Sequence, residues 1–273
     1  MPRYEYPSLR QGLVGAWCPS LGSSGYLLPN RARQSNNATH SGAITAAPGG
    51  TTLDLSGTQF ADLGSAVTLY PSLTSVTWSG WVRMRSFTNT YNSLLETQGA
   101  ASNYQFSPFI KSNGKLAFYV YQTSVLQSNY DGTGAFTLAV NNWYHLCFTF
   151  LGGVALTGYV NGILDQNVAS PIATITSSTA SVLVGSSAFG TRTLNGQLDD
   201  IRLFSRVLTL AEIRLLASRR GIGLTPLPDR AAGLPRKLSV NVGGTWRAAD
   251  SYVNVGGVWR LGQASVNVEG TWR

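Results

Sequence analysis

Glycoside cleavage on a β-strand scaffold needs two or three carboxylates alternating along one strand, so that an acid and a nucleophile flank the sugar bond. The chain has no Glu-x-Asp-x-Glu arrangement, and its one adjacent acidic pair, Asp199-Asp200, would point to opposite faces of a strand. His145 stands two residues before Cys147 on the same side of an alternating segment, but neither has an orienting third group or a nucleophile motif around it. A packed, hydrogen-bonded histidine is the role expected of it. His40 lies in the polar loop 35–41 with no visible partner. With 2 His and 2 Cys dispersed along the chain, a zinc site is not expected. Asp54, Asp62 and Asp131 are too scattered to read as a calcium loop, so no cofactor is expected. The chain reads as a non-enzyme.

What remains is aromatic. In Lys115–Gln122 (KLAFYVYQ), period two sends Leu116, Phe118 and Val120 inward and Ala117, Tyr119 and Tyr121 outward. If that strand lies beside Trp143–Phe150, Tyr119 and Tyr121 share a face with His145 and Thr149. Planar rings beside hydroxyl and ring nitrogen groups are what sugar stacking needs, so these four are the candidate glycan-facing residues. The plainer alternative is an ordinary outer sheet face, open or covered by a neighbouring subunit.

The elements that must carry these residues are short strands separated by Gly, Ser, Asn and Pro from Leu13 to about Phe204. Thr51–Leu63 reads as a strand pair turning at Ser56-Gly57. In Val76–Met84, Val76, Trp78, Gly80, Val82 and Met84 share one face. Trp143–Phe150 sets Tyr144, Leu146, Phe148 and Phe150 against Trp143, His145, Cys147 and Thr149. Gly158–Leu164 is a hairpin around Asn161-Gly162, the strongest short turn signal in the chain. One helix is expected, opened by the capping box Thr209-Leu-Ala-Glu212 and continued by Leu210, Ile213, Leu216 and Ala217.

Residues 221–236 hold Pro226, Pro228 and Pro235 and read as a semi-stiff linker. Beyond it come three related units, SVNVGGTWR (239–247), YVNVGGVWR (252–260) and SVNVEGTWR (265–273), each a strand, a two-residue turn and a strand. Gly243-Gly244 and Gly256-Gly257 suit primed turns, and Glu269 alters the last one. A tail spanning 237–273 is too small to bury a core of its own. Trp246, Arg247, Trp259, Arg260, Trp272 and Arg273 therefore want a partner surface: the chain's own body, further copies of the chain, or a larger assembly.

Of 273 residues only 12% are charged, while Gly (30), Tyr (12) and Trp (7) are plentiful, which suits a turn-rich β-sandwich and suits a helical enzyme poorly. The formal charge of +8 is uneven: residues 1–200 carry +1 and residues 201–273 carry +7. Arginine outnumbers lysine 17 to 3. That favours stacking and bidentate pairing at interfaces; no nucleic-acid motif accompanies it. No apolar run reaches the roughly 20 residues needed to cross a bilayer as a helix. The opening MPRYEYPSLRQGLVGAW lacks the layout of a secretory signal, so Asn37-Ala38-Thr39 carries little weight as a glycosylation sequon. Cys18 and Cys147 read as free thiols, with one bridge left open.

WSGWVRM (78–84), NNWYHLCFTF (141–150), LTGYVNGIL (156–164) and LNGQLDDIRLFSRVLTLAEI (194–213) together resemble the concanavalin A-like, laminin-G-like jelly roll over roughly residues 11–218. The resemblance implies an all-β sandwich with one short helix, in which one aspartate of Asp199-Asp200 ties down loop backbone. Several such modules bind calcium at the rim. The tail is similar to short terminal repeats of bacteriophage virion proteins. Taken together these imply an N-terminal arm (1–10), a jelly roll (11–220), the linker, and a β-hairpin repeat module. The expected role is a virion surface protein, a capsid decoration or a tail or fibre component, assembled in the host cytoplasm. Its partners would be other virion proteins, further copies of itself in a trimer, and a host-surface glycan; neither nucleic acid nor membrane insertion is expected. The alternative is a bacterial carbohydrate-binding or adhesion module.

Overall fold

The computed structural model describes residues 4–23, 25–32, 37–69, 72–97, 106–122, 125–176, 179–186, 191–225, and the strand residues 238–242, 245–249, 252–255, 258–261, 267–268 and 271–272. The chain divides into two compact units, one of residues 4–226 and one containing 227–273.

The first unit is a β-sandwich. Its eight-stranded sheet runs, from one edge, 163–169, 155–160, 143–151, 75–86, 195–204, 50–55 and 43–47, with 13–17 also pairing on 195–204, all antiparallel. The long strand Ser75–Ser86 is central, and its inward set Val76, Trp78, Val82 and Met84 belongs to the main core, as period two requires. Facing it are a four-stranded sheet (125–131, 116–122, 106–111, 91–93) and a five-stranded sheet (96–97, 181–184, 61–65, 38–40, 27–28). Phe118 meets Phe148 across the core at 5.6 Å between ring centroids, which fixes the two layers face to face.

A second core lies on the outer side of the eight-stranded sheet. Here Cys147 and Phe204 pack with Leu9, Leu13, Cys18, Leu208, Ile213, Leu216, Ile222 and Leu224. The covering helix, Leu210–Leu216, starts at Thr209, whose hydroxyl accepts from the Glu212 backbone N–H. The Glu212 carboxylate accepts from the Thr209 N–H in return. Both expected arms of the capping box are therefore made. Trp81 donates its indole N–H to the Leu216 carbonyl, tying the helix end to the sheet.

Several expectations are corrected. Residues 50–55 and 61–65 are not a hairpin: the chain turns at Gly57 and then changes sheet, because each strand finds its partners elsewhere. The arm and the linker are shorter than expected, since Leu9 at one end and Ile222 and Leu224 at the other are buried in the second core. His40 has partners: both ring nitrogens lie on backbone carbonyls, Nδ1 on Gly42 at 3.0 Å and Nε2 on Gly25 at 3.1 Å. Cys18 and Cys147, by contrast, are the free thiols expected, and both are buried.

In the second unit the three repeats form three two-stranded ladders with one shared register: Asn241 opposite Trp246, Asn254 opposite Trp259 and Asn267 opposite Trp272. Arg247 and Arg260 also fall on these strands. Arg273, the turn residues Gly243, Gly244, Gly256, Gly257 and Glu269, and Pro226, Pro228 and Pro235 of the linker lie outside the described residues.

Candidate functional site

The tyrosines Tyr119 and Tyr121 lie on the outer face of the four-stranded sheet. Strand 106–111 alternates in the same way as its neighbour: Phe106 and Ile110 enter the main core, while Phe109 turns outward. Ser107 pairs with Tyr119, and Phe109 with Ser93, so Ser93, Ser107, Phe109 and Tyr119 share that outer face. The result is a ring cluster of Tyr91, Phe109, Tyr119 and Tyr121 with centroid separations of 5.4 to 6.2 Å, all inclined toward edge-on packing.

Charges border the rings. Tyr119 donates its hydroxyl to Tyr91 at 2.7 Å, and Tyr91 donates to Asp131 at 3.4 Å. Asp131 is paired with Lys111 at 2.8 Å. The Arg192 guanidinium lies 5.3 Å from the Phe109 centroid and 5.8 Å from that of Tyr91, a cation–π arrangement. Arg192 also faces Glu96 at 3.7 Å. Burial raises the Tyr119 hydroxyl's pKa above its usual value, and its bond to Tyr91 raises it further. Burial likewise raises Tyr121, against the pull of Arg192.

Glu96 is the unusual member. Its side chain is 0% exposed and lies beside the Arg192 guanidinium and the Ser93 hydroxyl. Burial pushes its pKa up to about 7, against the opposing influence of Arg192 and the nearby Ser93 hydroxyl.

His145 and Thr149 do not join Tyr119 and Tyr121. Strand 116–122 is flanked by 106–111 and 125–131, leaving no edge for 143–151, which lies in the opposite layer. The alternate side chains of 143–151 then face the second core, across the sandwich from the tyrosines. His145 is 1% exposed, with Nε2 on Ser79 Oγ at 2.8 Å and its ring against Trp81 at 5.7 Å. Burial holds its pKa down to about 3, and the Arg202 charge lowers it further. A neutral imidazole in a closed layer packs the structure. Thr149 is buried as well.

Asp199 and Asp200 are structural anchors rather than a catalytic pair. A bulge and a left-handed φ of 51° at Asp200 accompany two different anchoring roles, Asp199 holding backbone and Asp200 holding the Arg202 side chain and one backbone N–H. Asp199 accepts from the Ser20 and Asp200 N–H groups. Asp200 takes both arms of the fully buried Arg202 at 2.7 and 2.8 Å and the Gly221 N–H at 2.8 Å. Asp54 is paired with Arg85, and Asp62 accepts from the Gly64 N–H. Among the described residues no three His, Cys, Asp or Glu side chains converge as metal ligands would.

The sequence reading missed Tyr91, Ser93, Glu96, Ser107, Phe109 and Arg192. Alternation in FSPFIK (106–111) was a usable signal for Ser107 and Phe109. Glu96, on a two-residue strand, and Arg192, in a loop, had none.

The sequence profile of the concanavalin A-like lectin/glucanases superfamily matches residues 55–214, more than half of the chain. A search of curated proteins gives no match. Among solved structures, similarity is found to domain 4 of AbnA, a GH43 extracellular arabinanase from Geobacillus stearothermophilus, solved with arabinotriose; the TM-score is 0.59 at 18% identity, covering 76% of this chain and 98% of that domain. Trypanosoma rangeli sialidase matches with TM-score 0.56 at 17% identity, over 76% of this chain and 32% of the sialidase. Botulinum neurotoxin type C, for which interaction with two ganglioside molecules is described, matches with TM-score 0.56 at 16% identity, over 77% of this chain and 52% of that one.

Proposed function

The chain belongs to the concanavalin A-like lectin/glucanases superfamily, and from that premise we propose that it recognises a carbohydrate without cleaving it, through the outer face of the sheet spanning residues 91–131. The observation that carries this reading is the cluster of Tyr91, Phe109, Tyr119 and Tyr121 bordered by charged and hydroxyl side chains on one sheet face. Sugars bind through ring faces against their C–H groups and through hydrogen bonds to their hydroxyls; Phe109 is fully buried and Tyr119 is 7% exposed, so Tyr91 and Tyr121, both half-buried, are the rings of this cluster that a sugar would meet first. The neighbours support the class of ligand: one was solved with arabinotriose, and another is described as interacting with gangliosides.

The proposal extends to context: a bacteriophage virion surface protein, in which the second unit joins copies of the chain or attaches them to other virion proteins. What supports this is the recurrence of one strand register in three consecutive repeats. The competing context, a carbohydrate-binding module of a bacterial surface or secreted protein, is favoured by the near-complete coverage of an arabinanase domain.

Probing the full chain on an array of neutral and acidic saccharides tests recognition directly. Binding should weaken by at least about tenfold in Tyr119→Ala/Tyr121→Ala, equivalent to about 1.4 kcal/mol. Undiminished binding by a folded double variant would sink the assignment of this face.

A further inference from the structure

Like charges held close on a sheet face repel, so a protein that keeps them there needs a compensating anion. Arg83 and Arg85 stand two residues apart on the outer face of strand 75–86, beyond the residues that build the second core. Strand pairing sets Trp143, Arg83, Gln197 and Asp54 in one row across four strands. Hydrogen bonds knit that row into a plate. Arg83 donates from Nε to the Asn141 carbonyl and from Nη1 to Gln197 Oε1, both at 2.9 Å. Arg85 donates from Nε to Asn195 Oδ1 at 3.2 Å, and from Nη2 to Asp54 and the Leu55 carbonyl. Asp54 accepts from Thr45 and Gln197 as well, so its carboxylate is engaged within the plate. Among the described residues Arg83 Nη2 and Arg85 Nη1 take no partner, and neither atom is buried. We propose that Arg83 and Arg85 form a second saccharide site, on the opposite side of the sandwich from the tyrosines, which takes the carboxylate of an acidic sugar. The choice of a saccharide rests on the carbohydrate-binding reading above; the anion site does not.

Charge and rigidity select the ligand. Two guanidiniums share one carboxylate, so the plate keeps an uncompensated positive charge. The next cation along the row, Arg220, is already spent: it stacks on Trp143 at 4.6 Å and faces Asp199 at 3.5 Å. Each of Arg83 and Arg85 is fixed by two of its nitrogens and leaves the third accessible. A guanidinium held in this way has lost its side-chain freedom before a ligand arrives, and its remaining N–H groups suit a carboxylate. The tyrosine face differs, because there Asp131 faces Lys111 and Glu96 faces Arg192, pair by pair. Around the arginines stand uncharged hydrogen-bonding side chains, Thr45, Asn195 and Gln197, which suit sugar hydroxyls. A sheet face offers no free backbone ladder, so a peptide strand gains nothing here that it would gain at an edge.

The test titrates the full chain, Arg83→Gln/Arg85→Gln and Arg85→Lys with trigalacturonate and sialyllactose, with arabinotriose and lactose as uncharged controls and acetate as a free carboxylate. Circular dichroism and thermal melting check each variant. The full chain should bind an acidic saccharide, more weakly as NaCl rises from about 10 mM to about 150 mM. Affinity should fall about tenfold or more in Arg83→Gln/Arg85→Gln, as lost hydrogen bonds to a charged group imply, with any binding of uncharged saccharides retained. Unchanged affinity for acidic saccharides in the folded double variant overturns the site. So does binding that is lost in Tyr119→Ala/Tyr121→Ala instead, which would place the acidic sugar on the tyrosine face. Uncharged saccharides bound and acidic ones ignored overturn this inference and leave the tyrosine reading standing; no saccharide bound at all overturns both. Acetate competing as strongly as trigalacturonate overturns the saccharide class and leaves a simple anion site. If the double variant does not fold, Arg85→Lys decides: it keeps the charge and loses the fork, so unchanged affinity there overturns the site.

Discussion

At the scale of single residues, two buried titratable groups are tuned in opposite ways. Glu96 has its pKa raised from 4.5 to about 7, so the folded chain holds that proton more tightly than the unfolded one. Its contribution to stability is therefore full below about pH 4.5 and is lost as pH climbs through 7. His145, lowered from 6.5 to about 3, acts the other way: its cost is felt as pH falls below 6.5. Urea midpoints of the native chain and Glu96→Gln between pH 4.5 and 8 separate the two. The variant should lack the loss above pH 4.5, a difference of up to about 3 kcal/mol; parallel curves would contradict it. Asp200 gives a second residue-scale prediction. Asn tolerates the left-handed φ of 51° there, so Asp200→Asn isolates the charge that pairs with buried Arg202. Stability should drop by about 3 kcal/mol in urea unfolding, with saccharide binding retained. The outward setting of Tyr119 and Tyr121 was legible from alternation alone. The carboxyl beneath them was not, because its partners come from segments remote in sequence.

At the scale of elements, local chemistry was legible and long-range pairing was not. Asn161 and Gly162 take the positive φ values of 50° and 76° that a primed two-residue turn requires. The capping box at Thr209 is formed as read. Both signals are complete within a few residues. By contrast, nothing in Thr51–Leu63 says that its two strands part company into different sheets. Nor does alternation in Trp143–Phe150 reveal that both of its faces are buried, one in each core. The same limit placed His145 and Thr149 on the wrong side of the sandwich from the tyrosines. The helix supplies the prediction at this scale. Removing the cap in Thr209→Ala should destabilise the first unit by about 1 kcal/mol in thermal unfolding, loosening the cover over Cys147 and Phe204. An unchanged melting temperature would mean that packing alone holds the helix.

At the scale of the molecule, the first unit carries both cores and the tyrosine face, while the described residues of the second form two-stranded ladders. Isolated two-stranded ladders are marginal in water, which is the physical reason for the proposal that the second unit assembles copies of the chain. If the tail assembles the chain as proposed, truncation after Pro226 should leave saccharide binding intact while lowering the mass measured by light scattering from that of an oligomer to that of a monomer. Equal masses for the two chains would remove the assembly role from the tail. A crystal structure of the full chain with the saccharide it binds most tightly on the array tests recognition by the tyrosine face. The sugar ring should lie against the tyrosine cluster, in contact with Tyr121. A saccharide lodged at the rim loops or on the helix-covered side, or the lack of any saccharide that binds, would contradict it.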